Sequence, residues 1–151
     1  MQFYARIIRT VRGNEMSSAR EINLEQLFDS LPESIGAQAI ELCKYPLRSK
    51  NEIIQLIADY ADEIEQVAHT KEDLDVNLAD CISRRCLILL NEHWEDESEQ
   101  NRQLIQAACC YFVESDDDDD DFESVFGFDD DAELLNLILE HFARDDLLIQ
   151  I

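Results

Sequence analysis

The chain has 151 residues, with 12 Lys and Arg set against 35 Asp and Glu and a net charge of −23. Chains of this length bury roughly 68–70% of their unfolded surface, so one domain with a self-sufficient core is expected and no disulfide is needed. Such acidity argues against direct binding of DNA, RNA or anionic lipid, and the lack of any run of about 18 apolar residues argues against a membrane span.

Three glycines and two prolines, against abundant Leu, Ile, Ala and Glu, predict an all-α protein of six or seven helices joined by short polar turns. Cys43, Cys81, Cys86, Cys109 and Cys110 make an odd count without a CxxC pair, and no long apolar run opens the chain. Both features point to a reduced, cytoplasmic protein.

Taken in chain order, Phe3, Tyr4, Ile7, Ile8 and Val11 fall on one helical arc and Arg6, Arg9 and Arg12 on the other, until Gly13 and Asn14 end the pattern. This basic amphipathic stretch is expected to pack on the domain, and its charge also suits the acidic end of the same chain. Asn23 reads as the cap of a helix to about Leu31, and Pro32 as the first position of another reaching about Cys43 before Pro46. Ser49 and Glu52 have capping-box spacing. Beyond them Ile53, Ile57, Tyr60, Ile64 and Val67 mark the inner stripe of a helix over about 50–68.

Asp75 or Asn77 opens the next helix, to about His93, with Leu78, Ile82, Cys86, Leu89 and Leu90 inward. An acidic break follows, and then a helix over 101–113 with Leu104, Ile105, Ala108, Tyr111 and Phe112 inward. Of the adjacent Cys109 and Cys110, one is expected to face the core as an inert small hydrophobe. The last helix carries Leu134, Leu135, Ile138 and Phe142 inward.

Charge is distributed unevenly: residues 1–50 sum to +1, 51–102 to −10 and 103–151 to −14. The densest part is Asp116, Asp117, Asp118, Asp119, Asp120 and Asp121, followed by Glu123 and by Asp129, Asp130 and Asp131. Neighbouring carboxylates repel one another, so the run either stays solvated as an acidic loop or draws counter-charge from outside. Part of it has a local cause, because Asp129 to Asp131 stand where a helix begins and its dipole favours negative charge. A second reading is a Ca²⁺ or Mg²⁺ site, although no register supplies both the glycine and the glutamate of an EF-hand loop. A third is a surface for a basic protein partner, acting as an inhibitor or nucleic-acid mimic. A chain of this length is about 38 Å across, and that length of duplex DNA carries about 22 phosphates, close to the net charge here.

The stretch YFVESDDDDDDFESVFGFDDDAELL resembles the signature of the YkvA-like family of small helical domains. Tyr111, Asp117, Asp121, Phe122, Gly127, Phe128, Asp130 and Asp131 fall on matching places without a gap, and the likeness covers about residues 75–143. Asp118, Asp119 and Asp120 replace Leu-Ile-Pro, and Ser115 replaces a proline, so an apolar hairpin has become a charged one. The resemblance implies a helical architecture and no transferable activity. It makes Asp117, Asp121, Asp130 and Asp131 the candidate structural or metal-binding residues.

Nothing spells out catalysis. His69, His93 and His141 show no metal-binding spacing, and there is no phosphate loop, nucleophile elbow or kinase-like set. Glu92 with His93, or His141 with a nearby aspartate, would form an acid–base or metal pair only if the fold brings them together. The reading is therefore a single all-α domain, not an enzyme and needing no cofactor, whose residues 116–121 and Glu123 engage a basic protein surface. The alternative is a domain binding a divalent cation.

Overall fold

A computed structural model describes residues 21–72, 74–114 and 128–151; residues 1–20, residue 73 and residues 115–127 lie outside the described residues. Among the described residues there are six α-helices and no strand: α1 (Leu24–Leu27), α2 (Glu33–Cys43), α3 (Lys50–Ala68), α4 (Val76–Glu92), α5 (Glu99–Val113) and α6 (Asp129–His141). Short 3₁₀ turns at Trp94–Asp96 and Asp145–Leu147 complete it. The all-α class is as the composition predicts. The basic stretch over 3–12 lies outside the described residues.

Local chemistry explains most helix starts. The Asn23, Asp75 and Ser98 side chains each accept a hydrogen bond from the backbone N–H three residues on, filling an otherwise orphan donor. At α3 the capping box is complete: Ser49 accepts from the Glu52 N–H and Glu52 accepts from the Ser49 N–H. The second bond holds the Glu52 carboxyl below its usual range.

Two boundaries differ from expectation. The helix expected from Asn23 to Leu31 closes after one turn, because Phe28 turns into the core and the residue before Pro32 is pushed out of helical conformation. Pro32 itself is the residue before α2. The acidic break also holds more structure than its charge suggests. Trp94 in its 3₁₀ turn is buried, and Ser98 starts α5 two residues earlier than expected.

The architecture is organised around α5, which packs against α2, α3, α4 and α6. Every residue from Leu104 to Phe112 is buried. Cys109 and Cys110 are therefore both inside, where one was expected, because a helix enclosed on all sides has no outer face. Phe112 lies edge-on to Tyr60 at 5.0 Å and 6.1 Å from Phe128, so α3, α5 and the start of α6 meet at one aromatic cluster. The buried hydrophobic residues form one core that takes in α2 to α6.

Gln106 is the polar member of the enclosed run of α5, at 1% exposure. Its Oε1 accepts from the Arg48 N–H at 2.8 Å and its Nε2 donates to the Pro46 carbonyl at 3.1 Å, tying the α2–α3 connection to the central helix. Asn136 repeats the device at the C-terminus, donating to the Ile149 carbonyl and accepting from the Ile149 N–H, both at 2.8 Å. Each amide stands in for a neighbouring strand, satisfying a backbone N–H and C=O that burial would otherwise strand.

Gln106→Leu keeps the volume but removes both bonds, and is expected to lower stability by about 1–3 kcal/mol. Gln106→Glu keeps the shape yet places a charge in the core and loses the donor to Pro46, so it should cost more at neutral pH. Urea unfolding of the two variants checks the order.

Candidate functional site

Asp116 to Asp121 and Glu123, expected to meet a partner, lie outside the described residues, as do Asp117 and Asp121 of the expected metal set. What the structure places is the frame on either side. Glu114 caps the C-terminal end of α5, and Phe128 is buried against Phe112 at the entrance to α6. Both ends of the acidic segment are thus fixed to the core. Asp129, Asp130 and Asp131 occupy the first turn of α6, where the helix dipole favours their charge. Asp129 and Asp130 are half-buried, while Asp131 is 4% exposed. Among the described residues no three His, Cys, Asp or Glu side chains converge as a metal site would require.

The described cations are largely committed to local partners. Arg102 donates to the Trp94 and Glu95 carbonyls at 2.7 and 3.0 Å with its guanidinium over the Trp94 ring, and Arg85 donates to the Leu147 carbonyl at 2.9 Å. These two arginines bond to backbone carbonyls, and Arg85, after Arg144, also helps to lower the Asp146 carboxyl. Lys44 pairs with Glu41, Lys50 with Glu95 and Arg84 with Asp80. On the outer face of α3, Asp59, Asp62, Glu63 and Glu65 are exposed with no ion pair to any described cation.

One polar network joins the ends of α4 and α6 to the start of α5. Arg144 donates to Glu92 at 2.8 Å, to His93 Nε2 at 3.1 Å and in a fork to both oxygens of Asp146 at 3.1 Å. A guanidinium only donates, so His93 Nε2 accepts and its ring proton sits on Nδ1, 3.7 Å from Glu97 Oε2. Glu97 also accepts from Asn101 at 2.6 Å, and Asn101 in turn accepts from His141 at 3.0 Å. Asp146 holds the Arg144 guanidinium even more firmly charged than usual, with Glu92 contributing next, and Arg144 lowers the Asp146 carboxyl in return.

The fold thus brings both histidines near Glu97, but not in the pairs the sequence offered. Glu92 binds Arg144 instead of its neighbour His93, and His141 meets an asparagine instead of an aspartate. The basic nitrogen of His93 is already taken by Arg144, so the constellation works as a latch on the C-terminus.

The turn that delivers Arg144 is strained. Ala143 has φ 57°, a left-handed conformation that an alanine adopts at a cost of about 1 kcal/mol. Its N–H bonds to the Glu140 carbonyl and that of Arg144 to the Leu139 carbonyl at 2.8 Å, closing α6 in a Schellman turn without the usual glycine. No sequence signal announces this turn.

Burial pushes the Cys43 thiol up to about 12 and Cys110 up to about 11. Cys109 is raised well above its ordinary value, first by a hydrogen bond with Cys86 and then by burial. Cys81 is half-buried and lines an open groove of about 670 Å³ with Arg85, Asp129 and the final residues 148–151. Thiolates are the nucleophiles, so iodoacetamide at pH 7.5 should label Cys81 first and leave the other four intact in the native protein, as read by peptide mass spectrometry.

His141 is surface-accessible, yet one side of its ring packs on Phe142 at 5.1 Å. Partial burial lowers its affinity for a proton below the ordinary 6.5, against the opposing pull of Glu97. The unfolded chain therefore binds that proton more readily, and the stability His141 confers is present above pH 6.5 and lost as pH falls through the lowered value. Falling pH also relieves the chain's self-repulsion, so the effect is read as a difference. Between pH 7.5 and 5.5, the melting temperature of the wild type should fall relative to that of His141→Gln.

No family model, no curated protein and no solved structure matches this chain. Of the residues behind the YkvA-like resemblance, Tyr111 and Phe128 are buried and Asp130 and Asp131 lie in the first turn of α6. Asp117, Asp121, Phe122 and Gly127 fall outside the described residues.

Proposed function

We propose that this protein is a non-catalytic acidic interaction module that engages a basic surface of a protein partner through Asp116 to Asp121 and Glu123, as an inhibitor or nucleic-acid mimic. The observation that supports this reading is the use of the described cations. Arg85 and Arg102 go to backbone carbonyls, and the exposed carboxylates of α3 face no described cation. Under this reading the counter-charge for Asp116 to Asp121 and Glu123 comes from the partner's basic surface. Phe112 and Phe128, on either side of residues 115–127, are in contact in the core, so the two flanks of the acidic segment stand close together. Charge of this kind accelerates association and makes it salt-dependent.

The cation-binding alternative draws on one observation. Asp131 stands in the first turn of α6 next to the acidic segment, and carboxylate oxygens are the ligands that divalent cations take. Asp117, Asp121 and Asp130 would complete that set.

The test replaces Asp118, Asp119 and Asp120 together with Asn. A partner captured by the wild-type protein at about 50 mM salt and released at about 500 mM should bind the variant at least tenfold more weakly, with a shallower salt dependence. Equal binding of the variant counts against the reading. A rise in melting temperature with millimolar Ca²⁺ or Mg²⁺ that this variant retains, but Asp131→Asn loses, favours the cation instead.

A further inference from the structure

A second acidic feature is built from residues of α1, α2 and α6 and the turn between α1 and α2. Two depressions, of about 370 and 240 Å³, meet at Leu31 on the side of the molecule where α1 and α2 approach α6. Their floor is apolar, formed by Phe28, Leu31, Ala37, Ile40 and Leu137. Gly36 lets α2 pack closely on the turn at Phe28, since a Cβ there would stand 3.3 Å from the Phe28 carbonyl oxygen. Glu25, Asp29 and Glu33 line the first depression, and Glu133 and Glu140 of α6 line the second. No Lys or Arg lines either depression, and none of the five carboxylates is in an ion pair with a described cation.

We propose that this groove is the docking site for the chain's own residues 3–12. At 100° per residue, Phe3, Tyr4, Ile7, Ile8 and Val11 cover one arc of a helix about 140° wide, while Arg6 stands beyond one edge of that arc and Arg12 beyond the other. An apolar stripe bordered by arginine is complementary in both polarity and charge to an apolar floor bordered by carboxylates. The arginine stems cover the apolar margin while the guanidinium groups reach the carboxylates. Residues 1–20 sum to +3, opposite in sign to the rest of the molecule.

Connectivity fits. The described chain begins at Glu21, the Ile22 N–H bonds to Gln100 Oε1 at 3.1 Å, and Glu25 already lines the first depression. Residues 13–20 span up to about 26 Å when extended, more than the roughly 15 Å length of a ten-residue helix, so the segment can fold back over the groove. A tether this short holds it at millimolar effective concentration, where even a weak helix-in-groove contact is populated. None of Asp116 to Asp121 is among the groove's lining residues, so this inference and the proposed function stand or fall separately.

The experiment is hydrogen exchange by mass spectrometry on the full chain at about 50 mM salt. In the wild type, amides of residues 3–12 should exchange at least about tenfold more slowly than in the free peptide of that sequence. Glu133→Lys with Glu140→Lys should abolish that protection, and so should Arg6→Glu with Arg12→Glu, which leaves the groove untouched and remains informative if the first variant folds poorly. Combining all four changes should restore part of it. Exchange of residues 3–12 at the free-peptide rate in the wild type overturns the proposal, as does protection that survives both reversals. Protection that appears only as protein concentration rises assigns the groove to a second copy and overturns it equally.

Discussion

Enclosure of α5 on all sides is the constraint from which the rest follows. A helix surrounded by α2, α3, α4 and α6 has no solvent face, so nine consecutive residues from Leu104 to Phe112 are buried and the ordinary amphipathic stripe disappears. A polar group in such a run must be fully satisfied, and Gln106 is, with its acceptor and a donor both engaged by the α2–α3 connection. The same enclosure keeps the thiols of Cys109 and Cys110 protonated and pushes ionised groups to the periphery.

At that periphery the positive and negative side chains do different work. Arg85, Arg102 and Arg144 act as fasteners: two of them hold backbone carbonyls at element ends, and the third gathers Glu92, His93 and Asp146 around the last turn of the fold. Arginine suits this because its planar fork offers several donors at fixed angles. The carboxylates have no comparable structural task on the α3 face or along the groove between α1, α2 and α6. Both proposals, an outside basic partner and the basic start of the chain, draw on that imbalance among the described residues.

The C-terminal strap shows how far a fold goes to close its own end. Ala143 accepts a left-handed conformation so that Arg144 reaches the latch, and Asn136 then holds Ile149 in the manner of a neighbouring strand. Strain of about 1 kcal/mol at one residue is small beside the hydrogen bonds it permits, at about 0.5–1.5 kcal/mol each and more where a charge takes part.

Much of the fold was legible in the sequence because the signals are local. The stripe of Ile53, Ile57, Tyr60 and Ile64, the Ser49–Glu52 box and the Asn23 and Asp75 caps depend on residues within a turn or two of each other, and all are found as read. What stayed hidden was decided by residues distant in the chain. Burial of both Cys109 and Cys110 follows from helices packing on α5 from every side, and the truncation of α1 follows from Phe28 being drawn into a core built largely by later residues. The network through Glu92, Glu97, Asn101, His141 and Arg144 joins positions up to 52 residues apart, and helical periodicity carries no information at that range. The sequence by itself determined the helical class, the cores of the helices and the total charge, because period and composition are properties of the chain alone. Which carboxylates are paired, which face a groove and which are buried was decided only by tertiary structure, because neutralising a charge requires a partner in space.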